Sequence, residues 1–156
     1  MSRRDLRLRV RPFAPRDQAA AHRLILHGLG ERWGAIDPSL NPDLNDIAAS
    51  FHDGGFWVAE RAGALVGTAG WHRRAPKQAE IVRMAVATSH RRLGVGHALL
   101  QALLRDVRAH GISTVVLETN DDWHSAIAFY EANGFRLTHR EASEFGPIRW
   151  FRLDLA

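Results

Sequence analysis

The 156-residue sequence contains no cysteine, which excludes disulfides, thiolate metal sites and a cysteine nucleophile together. Lysine is nearly missing too: of 21 basic residues, Lys77 is the one lysine and the rest are arginine. No apolar run approaches the roughly 20 residues that span a bilayer. The opening MSRRDLRLRV also lacks the apolar core of a signal peptide. We therefore expect a cytoplasmic protein without membrane contact. The arginines are scattered, with no basic helix, so nucleic acid is not the expected partner despite a net charge of +4 and a pI near 10.8. The nine histidines are dispersed, and no pair at helical spacing is joined by a suitable third ligand, so no metal is expected. Chemistry is left to oxygen and nitrogen groups.

What is present is a globular composition, 46% hydrophobic and 24% charged, with neither linker nor repeat. One domain over residues 1–156 follows. LRLRVRPF (6–13) alternates apolar and basic residues like a half-buried strand. Asp17 is positioned to cap a helix through QAAAHRLILHGL, ending near Gly28 and Gly30. A second helix is expected over NPDLNDIAASF, with Asn41 as cap, Pro42 at its first position and Leu44, Ile47, Ala48 and Phe51 on one face. FWVAERAGALVGTAGWH reads as a hairpin turning at Ala62 and Gly63, and EIVRMAV (80–86) as the next strand.

From Val95 onward, Leu99, Ala102, Leu103 and Val107 recur at helical spacing until Gly111. STVVLET is a buried strand, HSAIAFYEAN a helix ending at Gly134, and FRLTHR and IRWFRLDLA two more strands. The fold class is α/β: helices flanking a central mixed sheet. The last strand, with Ile148, Trp150 and Phe151, offers an exposed edge at which a homodimer would pair.

The stretch HRRLGVGHALL (90–100) sets two arginines and two glycines between a strand and a helix. Such a turn gathers free backbone N–H groups at the positive end of a helix, and Gly94 and Gly96 allow close approach of a phosphate. A dinucleotide fingerprint would need a third glycine where Leu99 stands, and a P-loop a Lys-Ser or Lys-Thr pair; both are missing.

With Arg91, Gly94 and Gly96 after the strand ending RMAV, and AIAFYEANGF (126–135) following in order, the chain resembles the GNAT superfamily of acetyl-CoA-dependent N-acetyltransferases. The resemblance covers residues from about 6 to 155. It implies a largely antiparallel sheet splayed between strands 4 and 5, with the pantetheine arm of acetyl-CoA entering the gap. Backbone groups of Met84, Ala85 and Val86 would pair with that arm, and one N–H there would polarise the thioester carbonyl. The pyrophosphate would sit on Arg91, Arg92, Leu93, Gly94, Val95, Gly96 and His97, with Asn120, Ala126 and Tyr130 completing the cofactor site. Many relatives carry asparagine where this chain has Trp123.

The resemblance also implies an amine acceptor, small molecule or peptide, attacking directly. Glu80 stands eleven residues before Arg91, where histone-type members carry their base. A strand-end carboxylate paired with Arg83 is the alternative reading. Tyr130 would donate a proton to the departing CoA sulfur. The acceptor pocket would fall between residues 30–41 and 141–147, which hold Glu31, Asp37, Glu141 and Glu144 beside Trp33 and Phe145. A non-catalytic acyl-CoA-binding module would need the glycine turn but neither Glu80 nor Tyr130.

Overall fold

In the computed structural model, which describes residues 7–34 and 41–155, seven strands form one sheet ordered β1-β2-β3-β4-β5-β7-β6. They are β1 (Arg9–Pro12), β2 (Gly55–Arg61), β3 (Ala64–Ala75), β4 (Gln78–Val86), β5 (Thr114–Asn120), β6 (Arg136–Glu141) and β7 (Ile148–Asp154). The α-helices are α1 (Gln18–Trp33), α2 (Ile47–Ser50), α3 (Val95–Ala109) and α4 (His124–Ala132). β4 and β5 are parallel and the other neighbours antiparallel, so the α/β fold with a mixed sheet forms in the expected element order. Among the described residues, no helix is long and apolar enough to cross a membrane.

Two apolar layers sandwich the sheet. The stripe of α3 (Val95, Leu99, Leu103, Val107) packs with Trp71, Ile81, Val115, Leu117 and Phe151 on one face. Ile25 of α1, Leu44, Ile47 and Phe51 pack with Phe56 and Val58 on the other. Each fully buried aliphatic side chain contributes about 1.5–3 kcal/mol. Two indoles tie α3 down further: Nε1 of Trp57 and of Trp71 donate to one Asp106 oxygen at 3.0 and 2.9 Å.

Several local expectations are corrected. α1 runs past Gly28 and Gly30 to Trp33 and stops at Gly34, φ +83°. Glycine costs a helix about 1 kcal/mol, but Leu29 packs on the core and Glu31 and Arg32 find partners, so tertiary contacts prevail. The Asp17 carboxylate does not cap α1; it accepts from Arg11 at 2.7 and 2.9 Å and from the Ala14 N–H at 2.8 Å. The second helix divides into a 3₁₀ turn, Pro42–Asn45, and one α turn capped by Asp46, which accepts from Ala49 N–H at 3.2 Å. That break turns Ala48 outward while Leu44, Ile47 and Phe51 remain buried. β7 is no edge either: it inserts between β5 and β6, and Phe151 is fully buried. The outer strand on that side is β6, because a seven-residue antiparallel register with β5 gives β7 its neighbour.

Candidate active site

β4 and β5 pair over three rungs, Gln78–Thr114, Ala79–Val115 and Glu80–Val116, and then separate. Beyond that point β4 also carries a bulge. Ala85 opposes Thr68 and Val82 opposes Gly70, so β4 has one residue more than β3 between these rungs. The insertion reverses the alternation of side chains: Ala79 and Ile81 pack towards α3 before it, Met84 and Val86 after it. Arg83 sits at its centre with φ +55°. The Thr68 hydroxyl donates to the Arg83 carbonyl at 2.8 Å, and the Arg83 guanidinium grips Asp43 at 2.9 and 2.7 Å.

The open end of this gap meets the glycine turn. Arg92 and Gly94 both have positive φ, +63° and +81°, which turns the chain sharply into α3. α3 has no side-chain cap, and the N–H groups of Val95, Gly96 and His97 meet no acceptor among the described residues. A Cβ on Gly94 would find nothing within 4 Å; one on Gly96 would stand 3.5 Å from Phe129 and 3.8 Å from Val86. The first turn of α3, the end of β4 and α4 therefore converge. A cluster of unpaired N–H groups at a helix start, with open space before it, is a seat for an anion.

Arg91 is close by but engaged. Its Nη1 and Nη2 donate to Glu31 at 3.2 and 3.4 Å, and Nε donates to the Val86 carbonyl at 3.3 Å. The Thr88 hydroxyl donates to the same carboxylate at 2.7 Å. That hydrogen bond, with Arg91 beside it, holds the Glu31 carboxyl below the usual carboxylate range. One residue on, Arg32 lies over both Trp33 (5.7 Å) and Trp123 (5.1 Å) and donates to Asp122 at 2.5 Å. The last turn of α1 thus reaches both lips of the cleft. Trp123, at the position where asparagine is usual in the resemblance, serves here as a stacking surface for Arg32. Asn120 accepts from the Trp123 N–H through its carbonyl. His97 faces the Asn133 side chain at 3.2 Å.

On the sheet face away from α3, β4 presents Glu80 and β5 presents Glu118. Loss of solvation raises both carboxyls above the ordinary range, Glu80 half-buried and Glu118 exposed on the strand but crowded by protein; Glu80 and Glu141 push Glu118 further up, and Arg74 pulls both back. Glu80 pairs with Arg74 at 3.3 Å, not with Arg83. Arg83 turns away because the bulge aims it at Asp43. Glu118 has no ion-pair or hydrogen-bond partner among the described residues.

Beside them, Arg74, Gln78, Val116, Thr138, His139 and Trp150 line a cavity of about 380 Å³. Arg74 lies 5.2 Å over the Trp150 ring, His139 stacks on that ring at 6.2 Å, and the Trp150 Nε1 is buried without an acceptor among the described residues. Glu144 and Phe145 are exposed in the β6–β7 loop, and Asp37 lies outside the described residues.

Tyr130 is buried, packed edge-on against Phe129 and Phe135 at 5.2 and 5.6 Å. Burial holds its phenol protonated well above the ordinary range. Its hydroxyl meets no hydrogen-bond partner among the described residues. Ala126, on the same helix, packs against the α3 layer. Among the described residues, no three histidine, aspartate or glutamate side chains gather as a metal site.

The structure thus brings Met84, Ala85, Val86 and the 91–97 turn together at one opening, with Glu80 on the sheet face across from α3. Sequence reasoning missed Glu118, Arg74 and Trp150. Alternation along STVVLET puts Glu118 on the face opposite Val115 and Leu117, a signal that was there to read.

The model of the Acetyltransferase (GNAT) family matches residues 19–135. A mouse protein described as probable N-acetyltransferase family 8 member 5 is 39% identical over 118 residues, 71% of this chain and 52% of its own length. The chain spans about half the length of the curated relatives it matches. In fold, it resembles a GNAT-family acetyltransferase of Staphylococcus aureus with a TM-score of 0.86 at 24% identity, over 96% of this chain and 100% of that one. A Salmonella typhimurium structure, solved with its cofactor acetyl-CoA, superposes with a TM-score of 0.75 at 18% identity, over 96% of this chain and 94% of that one.

Proposed function

This chain belongs to the acetyltransferase (GNAT) family, and from that premise we propose that it transfers acetyl from acetyl-CoA to a primary amine by direct attack. The observation that carries the reading is the uncapped start of α3 opening onto the gap between β4 and β5. The residues fit the cofactor chemically: N–H donors without acceptors and a glycine with free space suit a pyrophosphate. Arg91 and Arg92 add positive charge at the same turn, Arg91 once it leaves Glu31. The free edge of β4 from Met84 to Val86 offers backbone groups to an amide-bearing arm, as a neighbouring strand would.

When bound, acetyl-CoA supplies an activated acetyl thioester, whose carbonyl carbon the amine takes as the sulfur departs. A backbone N–H at the β4 bulge polarises the carbonyl oxygen. The amine must be neutral to attack, and the Glu80–Glu118 pair takes its proton on the acceptor face, directly or through water. Arg74 compensates the charge of Glu80, which leaves Glu118 free to face an ammonium. Tyr130, kept protonated by burial, donates to the departing sulfur. The cavity around Arg74 and Trp150 takes the body of the acceptor, small molecule or peptide.

Calorimetry with acetyl-CoA, followed by a panel of primary amines with detection of free CoA thiol, tests the assignment. Binding and turnover on at least one amine are expected. Failure to bind acetyl-CoA at millimolar concentration would overturn it, and binding without turnover on any amine would support a non-catalytic acyl-CoA module instead.

A further inference from the structure

Arg83 holds a backbone conformation that side chains other than glycine rarely adopt, φ +55°, in the middle of a strand. Such a conformation persists only where the surroundings over-determine it. Here two contacts do so. Thr68, fully buried on β3, donates its hydroxyl to the Arg83 carbonyl at 2.8 Å. Asp43 takes the guanidinium in a two-pronged grip at 2.9 and 2.7 Å, the geometry that fixes an arginine most firmly.

Asp43 is itself fixed. It lies in the Pro42–Asn45 turn, where Leu44 is fully buried. The Gln18 side chain of α1 donates to the Leu44 carbonyl at 2.8 Å and accepts from the Ile47 N–H at 2.9 Å. A continuous chain of contacts therefore runs from α1 through this turn to the bulge. The bulge needs it, because Arg83 and Met84 have no rung with β3, and β4 has none with β5 after Glu80.

We infer that Asp43, acting through Arg83, sets the direction of the backbone N–H donors at the bulge that polarise the thioester carbonyl. Asp43 and Arg83 are then positioning residues for the acetyl transfer proposed above, on which this inference rests. Neither touches the acetyl group. Their pairing instead decides whether peptide groups free of strand partners are aimed at it.

The experiment is carbon-13 NMR of acetyl-CoA labelled at the acetyl carbonyl, bound to the full chain. No acceptor amine is needed. In the wild-type protein the carbonyl signal moves downfield from its free position as the oxygen accepts a hydrogen bond. In Asp43→Asn at least about half of that displacement is lost, while acetyl-CoA affinity stays within about threefold. Arg83→Gly gives the same result in a chain that takes the left-handed conformation without strain, which keeps the test valid if Asp43→Asn folds poorly. A full displacement in both variants overturns the inference and leaves the proposed function standing. A wild-type signal that binding does not move overturns carbonyl polarisation and this inference with it.

Discussion

Gly94 and Gly111 stand at opposite ends of α3, and comparing them separates backbone strain from ligand contact. Both have positive φ, +81° and +74°, and a Cβ built on either meets nothing within 4 Å. Alanine at either position therefore pays only for the left-handed conformation, about 1–2 kcal/mol. In a chain of this length that lowers the melting temperature by about 2–8 °C. Acetyl-CoA affinity should diverge between the two. The added methyl at position 94 enters the open space before the free N–H groups of Val95, Gly96 and His97. Forcing an anion off one charge-assisted hydrogen bond costs about 1.5–3 kcal/mol, or roughly 10- to 150-fold in affinity. Gly111→Ala leaves affinity unchanged. Thermal unfolding without ligand and calorimetry with acetyl-CoA supply both numbers. Equal affinities for the two variants would refute the assignment of the turn as the pyrophosphate seat.

The carboxylate pair predicts a pH profile. Both carboxyls are raised, Glu80 by burial and Glu118 by loss of solvation and its carboxylate neighbours, and the ionised form accepts the proton, so kcat/KM climbs as pH rises from acid through their folded pKa values. Glu118→Gln or Glu80→Gln, whichever removes the base, lowers turnover by about 10²- to 10⁴-fold; profiles on an accepted amine identify it, and two unaltered profiles place the base elsewhere. Glu31→Gln releases Arg91 and tightens acetyl-CoA binding up to about fivefold, the worth of an exposed ion pair; weaker binding by calorimetry would mean that Glu31 aids the cofactor. Asp106→Ala strips the Trp57 and Trp71 indoles of their acceptor and costs about 2–4 kcal/mol in denaturant unfolding, with acetyl-CoA affinity unchanged.

Features written in short stretches of sequence were legible there. The α3 stripe, the hairpin at Ala62 and Gly63 and the glycine turn each depend on neighbours within a few residues, and each lies where expected. The α1 terminus was not, because the contacts that carry it past Gly30 come from Thr88, Arg91 and Asp122, far along the chain. The β4 bulge was hidden for another reason. A left-handed residue is usually signalled by glycine, and here an arginine is held there by Asp43, 40 residues away. Glu118 was visible as an alternating position, but its place beside Trp150 depends on β7 inserting next to β5, which no local pattern encodes.

The cleft itself follows from how the strands choose partners. β4 follows β3 along nearly its whole length and is tied at Arg83 to the turn after α1, while β5 follows β7 through seven consecutive rungs. Among the described residues, strand pairing between these two half-sheets is limited to three parallel rungs. Each strand therefore keeps its stronger partner, and right-handed twist carries the halves apart beyond Glu80. The gap is not left empty beneath: Gly96 lies close to Val86 and Phe129, so the first turn of α3, the end of β4 and α4 meet below it. Because the opening is imposed by pairing on both outer sides, it exists before any ligand arrives. A seat preorganised in this way loses little ordering entropy on binding. The part left to move is on the cofactor side: Arg91 must exchange Glu31 for an anion.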